Sequence, residues 1–229
     1  MNTRHISTAF DNDLDELDRL IGKIGNLALT QFIAVIEGIG QKDDDLKSLI
    51  TNDRFIDQIE IEVYNKTVEI IAIRAPQAND LRHIITAPKI ASFFERIGDY
   101  SKNIIKRRNM MISEGGDLTI LDKLDNMAQL AKDMLVDVLD ALTRNDANKA
   151  KSIWLSDIDL DDLHSQVYKA IYNDMVESGA SLSGIHALFI AKNIERIGDF
   201  CTSIAEQVYF VVHGELLDAD RPKKDITSS

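Results

Sequence analysis

The 229-residue sequence has few of the residues that shape disulfide-bonded or β-rich proteins. Its single cysteine, Cys201, excludes an intramolecular disulfide. Three prolines, eleven glycines and 6% aromatic residues favour long helices over many short strands. No stretch alternates apolar and polar residues for long enough to indicate a sheet. These absences predict an all-α protein.

Membrane and export signals are also lacking. No apolar run approaches the roughly 20 residues of a membrane span, and MNTRHISTAFDNDLDEL has no apolar core typical of a signal peptide. The formal net charge of −12 disfavours nucleic-acid binding and suits cations or basic proteins. We therefore expect a cytoplasmic protein with no membrane span and no nucleic-acid partner.

An internal repeat organises the chain. FFERIGDYSKN at 93–103 returns as NIERIGDFCTS at 193–203, an offset of 100 residues. Upstream, aligning Tyr64 with Tyr168 gives an offset of 104. The second copy is thus four residues shorter between these points, and we expect the loss in the intervening turn.

Each copy predicts three amphipathic helices. Such helices can bury their apolar faces against one another, which predicts two tandem three-helix bundles. Pro88 is expected to kink the third helix. The predicted helices are 13–40, 44–74 and 79–112, then 119–144, 147–177 and 183–214. The predicted units are residues 1–114 and 115–217, followed by a polar tail, 218–229.

Pairs of acidic residues recur at a spacing of four, which places both members on one helix face. The pairs flank the apolar stripe, so we expect them to face outward. One interpretation is a solvated acidic surface. The other is that each bundle gathers two pairs around a cation such as Mg²⁺, Ca²⁺, Mn²⁺ or iron, with zinc also able to bind. The candidate metal ligands are Asp53, Asp57, Glu95, Asp99, Asp157, Asp161, Glu195 and Asp199.

Other residues near the motifs have structural interpretations. Gly98 and Gly198 indicate close helix packing, because glycine in a helix is otherwise unfavourable. Arg96 and Arg196 are expected in salt bridges, and Cys201 in the core.

His164 follows Asp161 with the D-x-x-H spacing of di-iron helices, although a surface position is favoured for it. His83 and His186, at the starts of the third helices, stay ambiguous. A basic cluster follows the first motif, and it suits either a helix end or an acidic partner. Its members are Lys102, Lys106, Arg107 and Arg108.

Together these motifs resemble the PhoU family of bacterial phosphate-uptake regulators. The resemblance covers nearly the whole chain and includes APQANDLRHI, KIASFFERIGDYSKNI, DIDLDDLHSQVY, AKNIERIGDF and VYFVVHGE. It implies two three-helix bundles with pseudo-twofold symmetry and surface metal clusters held by the eight acids above. It also implies a negative regulator that works at a phosphate-specific ABC transporter, with its ATPase and a phosphate-sensing histidine kinase as partners. Phe93, Phe94 and Phe200 depart from common family residues.

Three functions stay open at this point. The first is a non-catalytic adaptor that regulates phosphate uptake and phosphate-starvation signalling. The second is a carboxylate-bridged metalloenzyme of the di-iron type, which an enclosed metal site would favour. The third is a structural helical module without metal. The sequence does not decide between a monomer and a homodimer.

Overall fold

The computed structural model describes residues 3–41, 53–179 and 181–217, and their regular elements are all helices. Six α-helices and one 3₁₀-helix follow one another in this described part. They are α1 (Thr3–Gly38), α2 (Asp53–Arg74), α3 (Ala78–Ser113), the 3₁₀-helix η1 (Leu118–Leu124), α4 (Asp125–Arg144), α5 (Ala147–Ser178) and α6 (Leu182–His213). The all-α prediction is confirmed. The predicted tail 218–229 lies outside the described residues, as does the predicted helical stretch 44–52.

Short polar residues and positive backbone angles set several helix ends. The side chains of Asp146 and Ser181 accept hydrogen bonds from backbone N–H groups in the first turns of α5 and α6. Asn145, directly after α4, has φ 51°, and Gly214, directly after α6, has φ 74°. Both conformations are left-handed and end a helix by directing the chain away from its axis. Pro88 lies inside α3, which continues through it.

The four-residue difference between the copies lies within the third helix, and the expectation that it lies in the turn was wrong. The two turns have equal length, residues 75–77 and 179–181. Helix α3 has 36 residues and α6 has 32, and both extend 18 residues beyond the glutamate of ERIGD. The first copy therefore has one additional helical turn before its motif.

The two lobes, α1–α3 and α4–α6, meet chiefly along α3 and α6. Phe200 packs on Phe93 and Tyr100, with ring centroids 6.0 and 5.7 Å apart. Arg82, near the start of α3, donates to the carbonyl oxygen of Val211, near the end of α6, at 3.2 Å. The opposite ends meet as well, so the two helices are antiparallel. Cys201 is fully buried in the core, as the sequence indicated.

Helix α1 differs from the expectation that no segment resembles a membrane span. The stretch Thr8–Gly38 is long enough to be one and contains an 18-residue window with a mean hydropathy of 1.3. A core helix of a soluble protein can have the same length and composition. Here Ile24, Ala28 and Phe32 of α1 are fully buried against the other helices. Burial in the core accounts for the apolar composition of α1.

Candidate functional site

One glycine in each lobe lets the two acidic helices of that lobe pack close together. An added Cβ at Gly98 would lie 3.0 Å from Cδ1 of Ile56 on α2. An added Cβ at Gly198 would overlap the side chain of Leu160 on α5. Glycine leaves the most room for these neighbours, and close packing explains why each motif has one mid-helix.

In the first lobe, the negative charges of carboxylates on α2 and α3 affect the pKa of a glutamate on α3. The side chain of Glu95 is 21% exposed. Burial raises its pKa from 4.5 to about 7, and the nearby charges of Asp99, Glu60 and Asp57 act in the same direction. The sequence prediction that the two helices bring their acids together holds for these residues. The side chain of Asp53 lies outside the described residues.

Neighbouring cations are paired with the acids of the first motif. The ammonium group of Lys102 lies 2.7 Å from Asp99, and the guanidinium group of Arg96 lies 3.8 Å from Glu95. The salt-bridge role predicted for Arg96 is confirmed. A metal ion bound here would compete with Lys102 for the carboxylate of Asp99.

The second lobe buries its acids more deeply, and the expectation that they face outward was wrong there. As whole residues, Asp157 and Glu195 are 1% and 6% exposed. Lys192 pairs with Oε1 of Glu195 at 2.7 Å, whereas the buried Oε2 has no hydrogen-bond partner among the described residues. Sequence spacing identified which residues share a helix face, but it could not show how deeply the neighbouring helix covers that face.

Asp199 and Asp161 of the second lobe are less buried than Asp157. Burial and the charge of Glu195 raise the pKa of Asp199, and Arg196 donates a hydrogen bond to it at 3.2 Å. The salt-bridge role predicted for Arg196 is thereby confirmed. This lobe therefore also gathers carboxylates whose negative charges repel one another.

Two residues beyond the eight candidates share a helix face with the acidic pairs. His164 is 7% exposed, so the favoured surface position was wrong. Glu60 contributes to the raised pKa of Glu95. Both stand three residues after an acid of the pairs, Asp161 and Asp57 respectively. The D-x-x-H spacing noted above for His164 is the signal in the sequence, and the repeat places Glu60 at the equivalent position of the first copy.

The donor atoms suit a hard or borderline cation in type, because most are carboxylate oxygens and one lobe adds an imidazole. Oε2 of Glu195, which is buried without a hydrogen-bond partner among the described residues, is the clearest structural sign of an oxygen atom that could bind a metal ion. Within the described residues, however, no group of three or more histidine, cysteine, aspartate or glutamate side chains is arranged to hold a metal ion. Several of these carboxylates pair with lysine and arginine instead.

The basic cluster after the first motif has mostly structural contacts. Arg108 is 1% exposed and donates to the carbonyl oxygens of Ile39 and Gln41, which follow α1. Arg107 stacks over the ring of Phe189 at 4.2 Å. Arg108 is thus not available to an acidic partner, whereas a steering role for the exposed Lys106 stays a prediction.

Comparison with known protein families follows the same two-part division. A family model described as "PhoU domain" matches residues 21–107 and again residues 124–208. The chain belongs to the PhoU family. Each PhoU domain contains one ERIGD motif and the acidic helix that precedes it, so the match confirms the tandem duplication. The boundary predicted at residue 114 lies in the turn between α3 and η1.

Relatives of the PhoU family align with nearly the full chain. A protein of Caulobacter vibrioides, "Phosphate-specific transport system accessory protein PhoU homolog", is 34% identical over 99% of both chains. The Escherichia coli protein, "Phosphate-specific transport system accessory protein PhoU", is 31% identical over 93% of this chain and 88% of that one.

Solved structures of PhoU proteins share this fold. The crystal structure of PhoU from Pseudomonas aeruginosa has a TM-score of 0.84 at 26% identity and covers 90% of this chain and 100% of that one. The phosphate transport system regulatory protein PhoU from Streptococcus pneumoniae has a TM-score of 0.80 at 27% identity, over 91% and 99%. The predicted architecture of two three-helix bundles is confirmed.

Proposed function

We propose that the chain is a cytoplasmic regulator of phosphate uptake and of phosphate-starvation signalling. It acts as a metal-binding adaptor between the ATPase of a phosphate-specific ABC transporter and a phosphate-sensing histidine kinase. The match of both lobes to PhoU domains, at full length, carries this proposal. Relatives of similar length are named as accessory proteins of phosphate-specific transport.

An adaptor must bind both partners, and purified components test this directly. We expect the protein to bind the transporter ATPase and the cytoplasmic part of the histidine kinase from the same organism, measured by biolayer interferometry. Deletion of its gene should raise expression of a phosphate-starvation reporter in phosphate-rich medium. Binding to neither purified partner, together with an unchanged reporter, would overturn the adaptor proposal.

The proposed metal sites use the acidic pairs of both lobes. Carboxylates whose charges raise the pKa of Glu95 in the first lobe, and the orphaned Oε2 of Glu195 in the second, support a cation there. When bound, a cation such as iron, magnesium, manganese or zinc would supply positive charge between these carboxylates. Asp57, Glu95 and Asp99 would hold it in the first lobe. Asp157, Asp161, Glu195 and Asp199 would hold it in the second.

Metal analysis of protein purified without chelator tests this assignment. Glu95→Ala/Asp99→Ala should lose the metal of the first lobe and Glu195→Ala/Asp199→Ala that of the second. Glu62→Ala/Glu69→Ala is a matched control, because it removes two exposed acids from another side of α2. Equal metal content in wild type and both motif variants, measured by mass spectrometry, would rule the sites out.

A di-iron metalloenzyme is the second candidate, and the second lobe favours it. Asp157, His164 and Glu195 are buried there, and His164 follows Asp161 at the spacing of di-iron helices. A di-iron centre would give a visible absorption band after anaerobic loading with Fe²⁺ and exposure to oxygen. That band, lost in His164→Ala and retained in Glu95→Ala, would favour the enzyme.

A further inference from the structure

Each lobe exposes a row of apolar side chains beside its acidic residues. On α2, Ile61, Tyr64, Val68 and Ile71 recur at spacings of three and four, so they share one face of the helix. Leu81 and Ile85 lie at the start of α3. The three-residue turn that joins α2 to α3 places these two helix ends side by side. These six residues form the first apolar patch, and each is between 36% and 61% exposed.

The second lobe repeats the arrangement. Tyr168 and Tyr172 occupy the positions of Tyr64 and Val68 in the repeat, and Ile185 occupies that of Ile85. The second apolar patch consists of Tyr168, Tyr172, Val176, Leu182 and Ile185, each between 40% and 65% exposed. Single exposed apolar residues are ordinary, but contiguous ones in matching places of two lobes indicate an interaction surface.

Negative charge borders the first apolar patch at the start of its row. The exposed Asp57 lies one helical turn before Ile61 on the same face of α2. A partner that covers this patch therefore meets an acidic side chain at this end of the apolar row.

The second apolar patch has the same acidic border. On α5, Asp161 precedes Tyr168 by seven residues on the same face. The surface complementary to either patch is thus an apolar stripe with basic residues at one end.

We propose that each apolar patch docks an amphipathic helix with basic residues at one end, and that one chain binds two such helices. The row from Asp57 to Ile71 is about 21 Å long, the length of a helix of about four turns. Helix-in-groove docking of this kind reads apolar side chains at spacings of three and four. Because the patches are related by the internal repeat, they fit a partner that presents two identical helices. The inference rests on the proposed adaptor role for its biological meaning.

Calorimetric titration with a synthetic peptide tests the surface itself. The probe is a four-turn helix of leucine and lysine, with leucine on one face, and a leucine–glutamate peptide is its charge control. All titrations contain chelator, so metal binding does not affect them. We expect two lysine peptides per wild-type chain, at least about tenfold weaker binding of the glutamate peptide, and weaker binding of the lysine peptide at high salt.

Variants then assign each bound peptide to a patch. Tyr64→Ser/Val68→Ser and Tyr168→Ser/Tyr172→Ser should each bind one peptide, and the combined variant none, because loss of two apolar anchors weakens a site by at least about tenfold. Phe55→Ser/Ile73→Ser is the matched control, since both residues are more than 60% exposed on another side of α2. It should still bind two. Circular dichroism checks that every variant is folded.

Several outcomes would overturn the inference. They are an unchanged stoichiometry in the combined variant, an equal loss in the Phe55→Ser/Ile73→Ser control, and equal affinity for the two peptides. Conversion of a wild-type dimer to a monomer by the patch variants, in sedimentation, would show that a second copy of the chain covers the patches instead. The titration uses neither transporter nor kinase, so its failure leaves the adaptor proposal standing. Normal peptide binding without binding to either protein would overturn the adaptor proposal alone.

Discussion

The two lobes carry the same acidic motif in different surroundings. The side chain of Glu95 is 21% exposed, and that of Glu195 only 8%. Three residues after the acid of the neighbouring helix, the first lobe has Glu60 and the second has the buried His164. The motif therefore determines which carboxylates meet, while residues outside it determine how much charge accumulates and how much water reaches it.

The two lobes should differ most in how much stability is lost on substitution at positions 108 and 208, which are equivalent in the repeat. Arg108 fills the core of the first lobe and donates to Ile39 and Gln41, whereas Val208 is an ordinary core residue. Arg108→Ala should destabilise by about 3–5 kcal/mol, because it opens a large cavity and leaves two carbonyl oxygens without their donor. Val208→Ala should cost only about 1–2 kcal/mol.

Urea denaturation followed by circular dichroism measures both losses in free energy of unfolding. Arg107→Ala serves as a control, since it removes a neighbouring guanidinium group that is only partly buried. Equal losses for Arg108→Ala and Val208→Ala would mean that the buried arginine has no special role at the end of α1.

A smaller difference is expected at the two motif glycines. An added methyl group at Gly198 overlaps the fully buried side chain of Leu160, so Gly198→Ala should destabilise by about 1–3 kcal/mol. At Gly98 the same group meets the end of the Ile56 side chain at 3.0 Å. There the gain in helix propensity, up to about 1 kcal/mol, offsets the tight contact. Gly98→Ala should therefore be nearly neutral.

Thermal melts of both variants, each compared with wild type, distinguish the two positions. Leu160→Ala supplies an internal check, because removing that side chain should relieve the overlap at Gly198. If Gly198→Ala is still as destabilising in the Leu160→Ala background, the overlap is not its cause.

The smallest expected effect concerns pH and the first lobe. The pKa of Glu95 is raised to about 7, so its folded form keeps a proton that the unfolded form has already lost. The stability that this proton contributes is fully present below pH 4.5, the ordinary pKa of a glutamate, and is lost as the pH rises through about 7. Protein in chelator should therefore have a melting temperature a few degrees higher near pH 5.5 than near pH 7.5. For a chain of this size, each kcal/mol of stability shifts the melting temperature by about 2–4 °C.

Glu95→Gln should flatten this dependence, because glutamine mimics the protonated side chain at every pH. Asp99→Asn should reduce it in part, since Asp99 is one of the charges that raise the pKa of Glu95. A melting temperature of wild type that falls on acidification, or a slope unchanged in Glu95→Gln, would contradict the assignment.

Helix number, order and approximate bounds could be predicted because the repeat and the apolar periodicity agree along the chain. The third helices, predicted at 79–112 and 183–214, lie at Ala78–Ser113 and Leu182–His213. The place of the four-residue difference could not be predicted, because about one full helical turn can be removed from a helix with little rotation of the residues that follow. Only the observed helix starts reveal that the turns are equal in length.

The sequence predicted which acidic residues of the site are paired, but not how deeply they are buried. Spacing of four residues identifies neighbours on a face, so Glu95 with Asp99 and Glu195 with Asp199 followed directly from the sequence. The burial of Glu195 and His164 depends on how α5 packs on α6, which no local pattern encodes. The role of Arg108 was hidden for the same reason, since its partners lie 67 and 69 residues earlier in the chain.

The antiparallel contact of α3 with α6 joins equivalent helices of the two repeats, which is the geometry of an isologous dimer interface. Here the two halves are covalently linked, so each side was free to change independently. Phe200 packs on Phe93 and Tyr100, whereas the repeat equivalent of Phe93 is Asn193. The covalent linkage thus permits two distinct surfaces at this contact, because a mutation in one half does not have to be compatible with its own copy.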